Sequence, residues 1–140
     1  MKNKLILGDG WLGTQLVKET GWDYISRKKD DIDFTNIDSY KNLMFGYDEI
    51  INCIACTDTY DKNKDSNWNI NYKGVVDLVD YLVDTDIKLT QFSTDYVYEG
   101  IDGDYKETDS MKPFTKYGWS KLGGECAVQM YDNHLILRMA

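Results

Sequence analysis

A tyrosine and a lysine four residues apart are the first pair whose types and spacing suit chemistry. Tyr117 and Lys121 stand in the run Y-G-W-S-K, and on a helix this spacing places both side chains on one face. A phenol has a reference pKa of about 10, so near neutral pH it needs a neighbouring cation to stabilise its phenolate. We expect Lys121 to supply that cation and Tyr117 to exchange a proton with a substrate oxygen.

A threonine adds a hydroxyl group to this pair. Thr94 stands at the end of a predicted strand, in the sequence S-T-D, where ligands bind in parallel sheets. We expect Thr94 to hydrogen-bond a substrate carbonyl. The alternative is a threonine that only ends the strand, because Ser, Thr and Asp are frequent turn residues.

A glycine-rich turn near the start of the chain suits a pyrophosphate. Residues 8–13 read G-D-G-W-L-G, a G-x-G-x-x-G between a predicted strand and a predicted helix. The first glycine permits a tight turn, the second lets the backbone approach the pyrophosphate, and the third lets helix and strand pack closely. The helix N-terminus offers free N–H groups to the anion. A purely structural turn is the alternative. The cofactor-binding residues that the motif predicts are Gly8, Gly10, Trp11, Leu12 and Gly13.

The residues after the second predicted strand bear on the choice of cofactor. NAD enzymes carry an acid for the ribose hydroxyls about 20 residues past the glycines, but residues 26–29 here read S-R-K-K. Cations suit a 2′-phosphate, so we favour NADP(H) over NAD(H) and assign Ser26 and Arg27 to the cofactor site. Asp30 and Asp31 follow closely, so a shifted strand end would restore an acid. A solvated charged loop is the other interpretation.

The elements that would position these residues alternate between strands and helices. Apolar runs predict strands at 4–7, 22–26, 49–55, 87–92 and 135–137. Helical spacing predicts helices at 11–20, 36–45, 66–83 and 116–131. In the second helix the residues expected to face inward are Ile37, Tyr40, Leu43 and Met44. The alternation predicts an α/β, three-layer Rossmann fold with a parallel, doubly wound sheet.

Composition and charge limit the partners of this chain of 140 residues. The formal charge of −8 opposes binding to nucleic acid and to anionic membrane surfaces. The apolar run at residues 5–7 is too short for a signal-peptide core or a membrane span. We therefore expect a cytoplasmic protein with no nucleic-acid or membrane partner.

The cysteines and the histidine do not predict a metal site. An odd count of three cysteines does not resemble a disulfide framework. Cys53 and Cys56 form a C-x-x-C, but a structural zinc needs four ligands, and only Cys126 and His134 remain. We interpret the pair as small apolar residues at the end of a buried strand, and His134 as a strand residue.

Several spaced runs resemble the dTDP-4-dehydrorhamnose reductase family, extended short-chain dehydrogenase/reductases within the NAD-dependent epimerase/dehydratase superfamily. The matching runs are F-S-T-D-Y-V-Y-E-G at 92–100, Y-x-E-T-D at 105–109, Pro113, Y-G-x-S-K-L-x-G-E at 117–125 and L-R at 137–138. Further matches are Asn52, Ala55, Thr57 and Asn71. The resemblance covers essentially the whole chain.

This resemblance implies residue roles and a substrate. Thr94, Tyr117 and Lys121 would form the catalytic triad, with Tyr117 as the proton donor. The substrate would be a nucleotide-activated 4-keto-6-deoxy sugar, as in dTDP-rhamnose biosynthesis, reduced with NADP(H). Related dehydratases have T-D-E at the strand end, whereas Tyr96 follows T-D here, which favours a reductase. The cofactor-binding residues would also include Ile54, Ala55, Tyr117 and Lys121.

Family members continue for about as long again, and that second half supplies most of the sugar-nucleotide site. We therefore expect residues 1–140 to be the NAD(P)-binding domain alone. Three explanations compete: a truncated or split gene, a homo-oligomer or second chain that completes the site, and a small protein kept for binding only. A non-catalytic, dinucleotide-binding regulatory subunit, like that of methionine adenosyltransferase, and a sugar-nucleotide epimerase remain alternatives. The residues expected on a self-association surface are Trp119, Met130 and Tyr131.

Overall fold

Short apolar runs form one parallel sheet at the centre of the fold. The computed structural model describes residues 2–60 and 64–140. The strands are β1 (Lys4–Leu7), β2 (Asp23–Ile25), β3 (Glu49–Asn52), β4 (Lys88–Thr94) and β5 (His134–Met139). Their order is β2-β1-β3-β4-β5, and every neighbouring pair is parallel. The Rossmann-type α/β fold predicted from the sequence is confirmed.

Helices connect the strands and flank the sheet. The α-helices are α1 (Trp11–Thr20), α2 (Arg27–Asp30), α3 (Lys64–Ser66), α4 (Gly74–Leu82) and α5 (Lys116–Gln129). A π-helix, Asn67–Lys73, joins α3 to α4. The 3-10 helices are Ile37–Ser39, Lys41–Met44 and Asp95–Val97. No helix among residues 2–60 and 64–140 is long and apolar enough to span a membrane.

Side chains on both faces of the sheet are buried. Leu5 and Leu7 join the main hydrophobic core, whereas Ile6, which alternation directs to the other face, is equally inaccessible. Val75 and Leu78 of α4 pack into the same main core. Burying one such side chain contributes about 1.5–3 kcal/mol. This packing fixes the carboxyl ends of the strands, where the predicted site residues lie.

The predicted helix at 36–45 is wrong in type and in one of its buried residues. Two short 3-10 helices occupy this segment, and Leu43 is 42% exposed, although Tyr40 and Met44 are buried as expected. The Ser39 hydroxyl lies 2.8 Å from the Asn36 carbonyl oxygen, and the Asn36 side chain accepts from a backbone N–H within its own turn. Such local side-chain hydrogen bonds compete with a regular helix.

The predicted strand at 49–55 ends early, at Asn52. The Asn52 Oδ1 accepts a hydrogen bond from the Ile54 N–H at 3.1 Å, which is the turn that asparagine commonly forms. Ile54 and Ala55 therefore belong to a loop beyond the sheet edge. That position brings them toward the glycine turn.

The helical region predicted at 66–83 is present, but two apolar side chains at helical spacing within it are not buried. Trp68 and Val83 are more than half exposed, at 53% and 57%, whereas Val79 and Leu82 are buried. The π-helix has more residues per turn than an α-helix, so a spacing of 3.6 residues does not keep Trp68 on the buried face.

Only two of the three residues predicted on a self-association surface are exposed. Trp119 and Met130 are exposed, at 54% and 80%, but Tyr131 is only 5% exposed. The Tyr131 hydroxyl donates to the carbonyl oxygens of Thr85 and Ile87, so its polar end is used inside the fold. Including Tyr131 among the surface residues was wrong.

Candidate active site

The three glycines of the turn after β1 have different surroundings. Gly8 has a φ of +96°, and a Cβ there would lie 2.8 Å from the Ile54 side chain. A Cβ at Gly13 would lie 2.0 Å from the Gly8 carbonyl oxygen, closer than any real contact. A Cβ at Gly10 would meet nothing within 4 Å. Packing therefore requires Gly8 and Gly13, whereas Gly10 faces open space that a ligand can enter.

That open space is part of a cavity of about 610 Å³ between the glycine turn, the end of β2 and the loop after β3. The volume is in the usual range for small-molecule sites. Of the residues predicted to bind the cofactor, those that line it are Gly8, Gly10, Arg27, Ile54 and Ala55. Those that do not are Trp11, Leu12, Gly13, Ser26, Tyr117 and Lys121.

Ser26, at the end of β2, is a buried connector. It is 1% exposed, and its hydroxyl donates to Asp9 Oδ2 at 3.0 Å. The Ser26 Oγ also accepts from the Lys29 N–H at 3.1 Å, which caps α2. The Ser26 N–H donates to Asp30 Oδ2. Ser26 thereby joins the glycine turn to the loop that follows β2.

The cations at 27–29 do not act as one group. The Lys29 ammonium donates to the Tyr24 carbonyl oxygen at 2.7 Å and lies 4.3 Å from the centre of the Tyr24 ring. Arg27 lines the cavity, whereas Lys28 and Lys29 do not. The expectation of a basic cluster is thus reduced to Arg27.

Thr94 and Tyr117 come together at the carboxyl end of β4. The Thr94 hydroxyl is close enough to the Tyr117 phenol to lower the pKa of Tyr117. Burial has the larger effect, and with the charges of Tyr96 and Asp95 it leaves the pKa of Tyr117 above its ordinary value. Tyr117 is therefore a protonated phenol at neutral pH, which suits a proton donor.

Lys121 lies one helical turn beyond Tyr117 on α5, and its ammonium contacts β4. It is 6% exposed, and its ammonium donates to the Phe92 carbonyl oxygen at 2.7 Å. Burial lowers the pKa of Lys121 to about 8, against the opposing charge of Glu125. The contact with the Phe92 carbonyl oxygen ties α5 to β4. Stabilisation of the Tyr117 phenolate by Lys121 stays a prediction.

Asn71 in the π-helix organises the loop next to these residues. Its side-chain amide accepts from the Cys56 N–H and donates to the Cys56 carbonyl oxygen, both at 2.8 Å. It also donates to the Ser120 hydroxyl at 3.1 Å, and Ser120 donates to the Tyr117 carbonyl oxygen. Residue spacing alone does not identify Asn71; the family resemblance named it without a role. A π-turn inside a helix frequently marks a functional site.

An ion pair anchors the loop between β4 and α5. Arg138 of β5 donates to Glu125 of α5 at 2.8 Å and to the Tyr98 hydroxyl at 2.7 Å. Glu125 is 2% exposed, so the pair is largely shielded from water. The Tyr98 ring stacks on Tyr105 of the same loop. The resemblance included Arg138 and Glu125, but their pairing emerges only in the folded chain.

A second, larger cavity of about 870 Å³ lies beside the end of β4. Asp95, Tyr96, Phe114 and Leu137 are among the residues that line it. The Tyr96 ring meets the Tyr117 ring edge to face, with centroids 5.7 Å apart. The aromatic side of this cavity is therefore continuous with the candidate proton donor.

The cysteines and the histidine are not arranged as a metal centre in the described part of the chain. Cys53, Cys56 and Cys126 are free thiols, and no group of three or more His, Cys, Asp or Glu side chains among the described residues is placed to hold a metal. Burial raises the pKa of Cys53 to about 12. His134 begins β5, as expected, and its Nδ1 contacts the Tyr131 carbonyl oxygen.

Comparisons with known proteins identify the family to which the chain is similar. A family model described as the RmlD substrate binding domain matches residues 2–140. A probable low-salt glycan biosynthesis reductase of Haloferax volcanii is 36% identical over 115 residues, which is 78% of this chain and 38% of that protein. A dTDP-4-dehydrorhamnose reductase of Aggregatibacter actinomycetemcomitans is 33% identical over 135 residues, covering 89% of this chain and 46% of that protein.

Solved structures give the same result. The crystal structure of dTDP-4-dehydrorhamnose reductase from Bacillus anthracis, in complex with NADP, superposes with a TM-score of 0.85 at 30% identity. The match covers 99% of this chain and 53% of that one. The chain thus spans about half, or less, of the length of these relatives.

Proposed function

The chain belongs to the RmlD substrate binding domain family, and from that premise we propose that it is the dinucleotide-binding part of a reductase for a nucleotide-activated keto-sugar. The observation that carries the proposal is the contact between Thr94 and Tyr117 at the carboxyl end of β4. A hydroxyl group and a protonated phenol converge there, at the edge where parallel α/β sheets bind ligands.

The cavity behind the glycine turn fits a nicotinamide dinucleotide. Gly10 leaves its surroundings open, and α1 begins at Trp11 with its first N–H groups free for an anion. Ile54 and Ala55 supply an apolar wall. When bound, this cofactor would supply hydride to the substrate. The chain's own task is to hold the two reactants and to move a proton.

Tyr117 would give that proton to the oxygen of the reduced carbonyl. Its raised pKa keeps the phenol protonated at neutral pH, so the proton is available without a prior step. Thr94 would hydrogen-bond the same substrate oxygen and orient it. Lys121 would hold the start of α5 against β4 through the Phe92 carbonyl oxygen. These roles make Thr94 and Tyr117 the proposed catalytic residues and Lys121 the residue that positions them, which together are the three residues that the resemblance implied.

We further propose a preference for NADP(H) over NAD(H), without exclusion of the latter. Arg27 lines the cavity next to the end of β2, and Ser26 stands where NAD enzymes commonly carry an acid. A guanidinium pairs well with a phosphate through two parallel hydrogen bonds. Similar structures contain NADP or NAD, so the preference rests on Arg27 and Ser26.

The proposed substrate is a 4-keto-6-deoxy sugar linked to a nucleotide, as for dTDP-4-dehydrorhamnose reductase. The relatives carry about as many residues again beyond the matched part. The remaining sugar-nucleotide contacts would come from such residues, from a second chain or from a second copy of this one. The aromatic cavity beside Tyr96 and Phe114 is where the two parts of the site would meet.

A titration of the purified chain with NADPH and with NADH, followed by nicotinamide fluorescence, tests the proposal. We expect both nucleotides to bind, NADPH more tightly, and the Gly10→Trp variant to bind neither, because the indole would occupy the open space at Gly10. Far-UV circular dichroism of that variant checks that it is folded. If the unaltered chain binds neither nucleotide, the proposed function is wrong.

A further inference from the structure

The carboxylate of Asp9 is held at the end of β2 by a buried serine. Asp9 follows Gly8 in the turn, and its Oδ2 accepts the Ser26 hydroxyl hydrogen at 3.0 Å. Because a carboxylate oxygen can only accept, the Ser26 hydroxyl hydrogen is donated to Asp9, while the Ser26 oxygen accepts the Lys29 N–H. The other carboxylate oxygen, Oδ1, accepts no hydrogen bond from the described residues.

This arrangement returns an acid to a position that the linear sequence leaves without one. In dinucleotide-binding sheets, the acid at the end of the second strand hydrogen-bonds the adenosine ribose hydroxyls. Ser26 occupies that place in the chain, but the carboxylate it orients comes from the glycine turn, 17 residues earlier. Asp9 lines the same cavity as Gly10 and Arg27. An acceptor for ribose hydroxyls is therefore present in the cavity.

The other charged side chains that face the cavity are acidic, so their charge is opposite to that of Arg27. Asp31 and Asp33 also line it, and Asp33 accepts hydrogen bonds from the N–H and hydroxyl of Thr35, which lower its pKa. Arg27 is the one cation among the described lining residues. A 2′-phosphate would gain from Arg27 and be repelled by the Asp9 carboxylate, whereas a free ribose diol would gain from Asp9.

We propose that Asp9 is a second determinant of cofactor choice, which hydrogen-bonds the adenosine ribose hydroxyls of NAD(H) and opposes the 2′-phosphate of NADP(H). It acts against Arg27, so the balance of the two side chains sets the ratio of affinities. The inference rests on the proposed function, because it requires that the cavity binds a nicotinamide dinucleotide.

The Asp9→Asn variant tests this role, since it keeps an acceptor for Ser26 but removes the charge. The dissociation constants of NADH and NADPH are measured at one fixed ionic strength. We expect NADH to bind about tenfold more weakly, as for loss of a hydrogen bond to a charged group, and NADPH to bind as tightly as before or a few-fold more tightly. The matched control is Asp84→Asn, which removes the same charge from the exposed turn between α4 and β4, at the opposite edge of the sheet.

The outcomes separate the two proposals. If Asp9→Asn leaves the ratio of the two dissociation constants unchanged, the proposed role of Asp9 is wrong, but the dinucleotide site stands. Equal weakening of NADH and NADPH binding counts as this outcome. Absence of binding in the unaltered chain overturns the proposed function and this inference together. Should Asp9→Asn not fold, Asp9→Ser replaces it, because serine is also accepted in turns, and the same shift in ratio is expected.

Discussion

The side-chain amide of Asn71 hydrogen-bonds both the N–H and the carbonyl oxygen of Cys56, each at 2.8 Å. The Asn71 side chain thus makes the pair of backbone hydrogen bonds with the loop after β3 that a neighbouring strand would otherwise make. Asn71 is 2% exposed, so water does not replace it readily. Through Ser120 the same amide reaches the turn of α5 that carries Tyr117.

Replacing Asn71 should therefore lower stability more than replacing an exposed asparagine. We expect Asn71→Ala to reduce the free energy of unfolding by about 1–3 kcal/mol, because the polar groups of Cys56 lose their partner. Urea denaturation measures the change. The control is Asn133→Ala, which removes the single, exposed bond to the Asp86 carbonyl oxygen. Equal losses in the two variants would contradict the anchoring role of Asn71.

Two glycines of the turn should respond to alanine in opposite ways. We expect Gly13→Ala to lower stability by about 3 kcal/mol or more, because its Cβ would overlap the Gly8 carbonyl oxygen. Gly10→Ala should stay within about 1 kcal/mol of the unaltered chain, since its φ of −66° suits alanine, yet weaken binding of NADPH. Thermal unfolding and nucleotide titration give the two readouts. A stable Gly13→Ala chain would contradict the packing argument.

The Tyr117 phenol should titrate above the usual range of tyrosine. Burial raises its pKa, and the nearby Thr94 hydroxyl counteracts part of that rise. The 13C resonance of the Tyr117 Cζ, assigned with Tyr117→Phe, follows the titration. Thr94→Val should move the midpoint to still higher pH, whereas Thr59→Val, in an exposed loop, should not. A midpoint below that of a free phenol would remove the case for Tyr117 as proton donor.

Lys121 should make stability depend on pH in the mildly alkaline range. Its pKa is about 8 in the folded chain and near 10.4 when unfolded, so the unfolded state binds more protons between those values. The contribution of neutral Lys121 to the free energy of unfolding is fully present above the unfolded pKa. It is lost as pH falls through the folded pKa of about 8. From pH 8 to pH 9 the unaltered chain should gain about 1 kcal/mol relative to Lys121→Met. Urea denaturation at both pH values measures this, and parallel curves would contradict it.

Replacing Arg27 should change the affinity of the chain for NADPH only. Arg27 lines the cavity and Lys28 does not. We therefore expect Arg27→Ala to weaken NADPH binding by about tenfold, as for loss of a hydrogen bond to a charged group. The affinity for NADH should stay nearly unchanged. Lys28→Ala is the matched control and should change neither. A loss of NADPH affinity in Lys28→Ala as large as that in Arg27→Ala would restore the idea of a basic cluster.

The local sequence determined the parts of the fold that depend on neighbouring residues. The apolar run before Gly8 and the helical spacing before Gly21 predicted β1, the turn and α1 with the bounds that the structure has. These elements are predictable because glycine punctuation and side-chain periodicity act within a few residues. The same alternation of elements predicted the parallel α/β sheet.

Tertiary structure decided the arrangement of polar groups. Lys121 donates to Phe92, 29 residues away, and Ser26 orients Asp9 across 17 residues. No local rule identifies such partners, because a buried polar group takes whichever partner the packing brings close to it. For the same reason Arg27 is distinguished from Lys29 only in the folded chain, where Arg27 lines the cavity and Lys29 donates to the Tyr24 carbonyl oxygen.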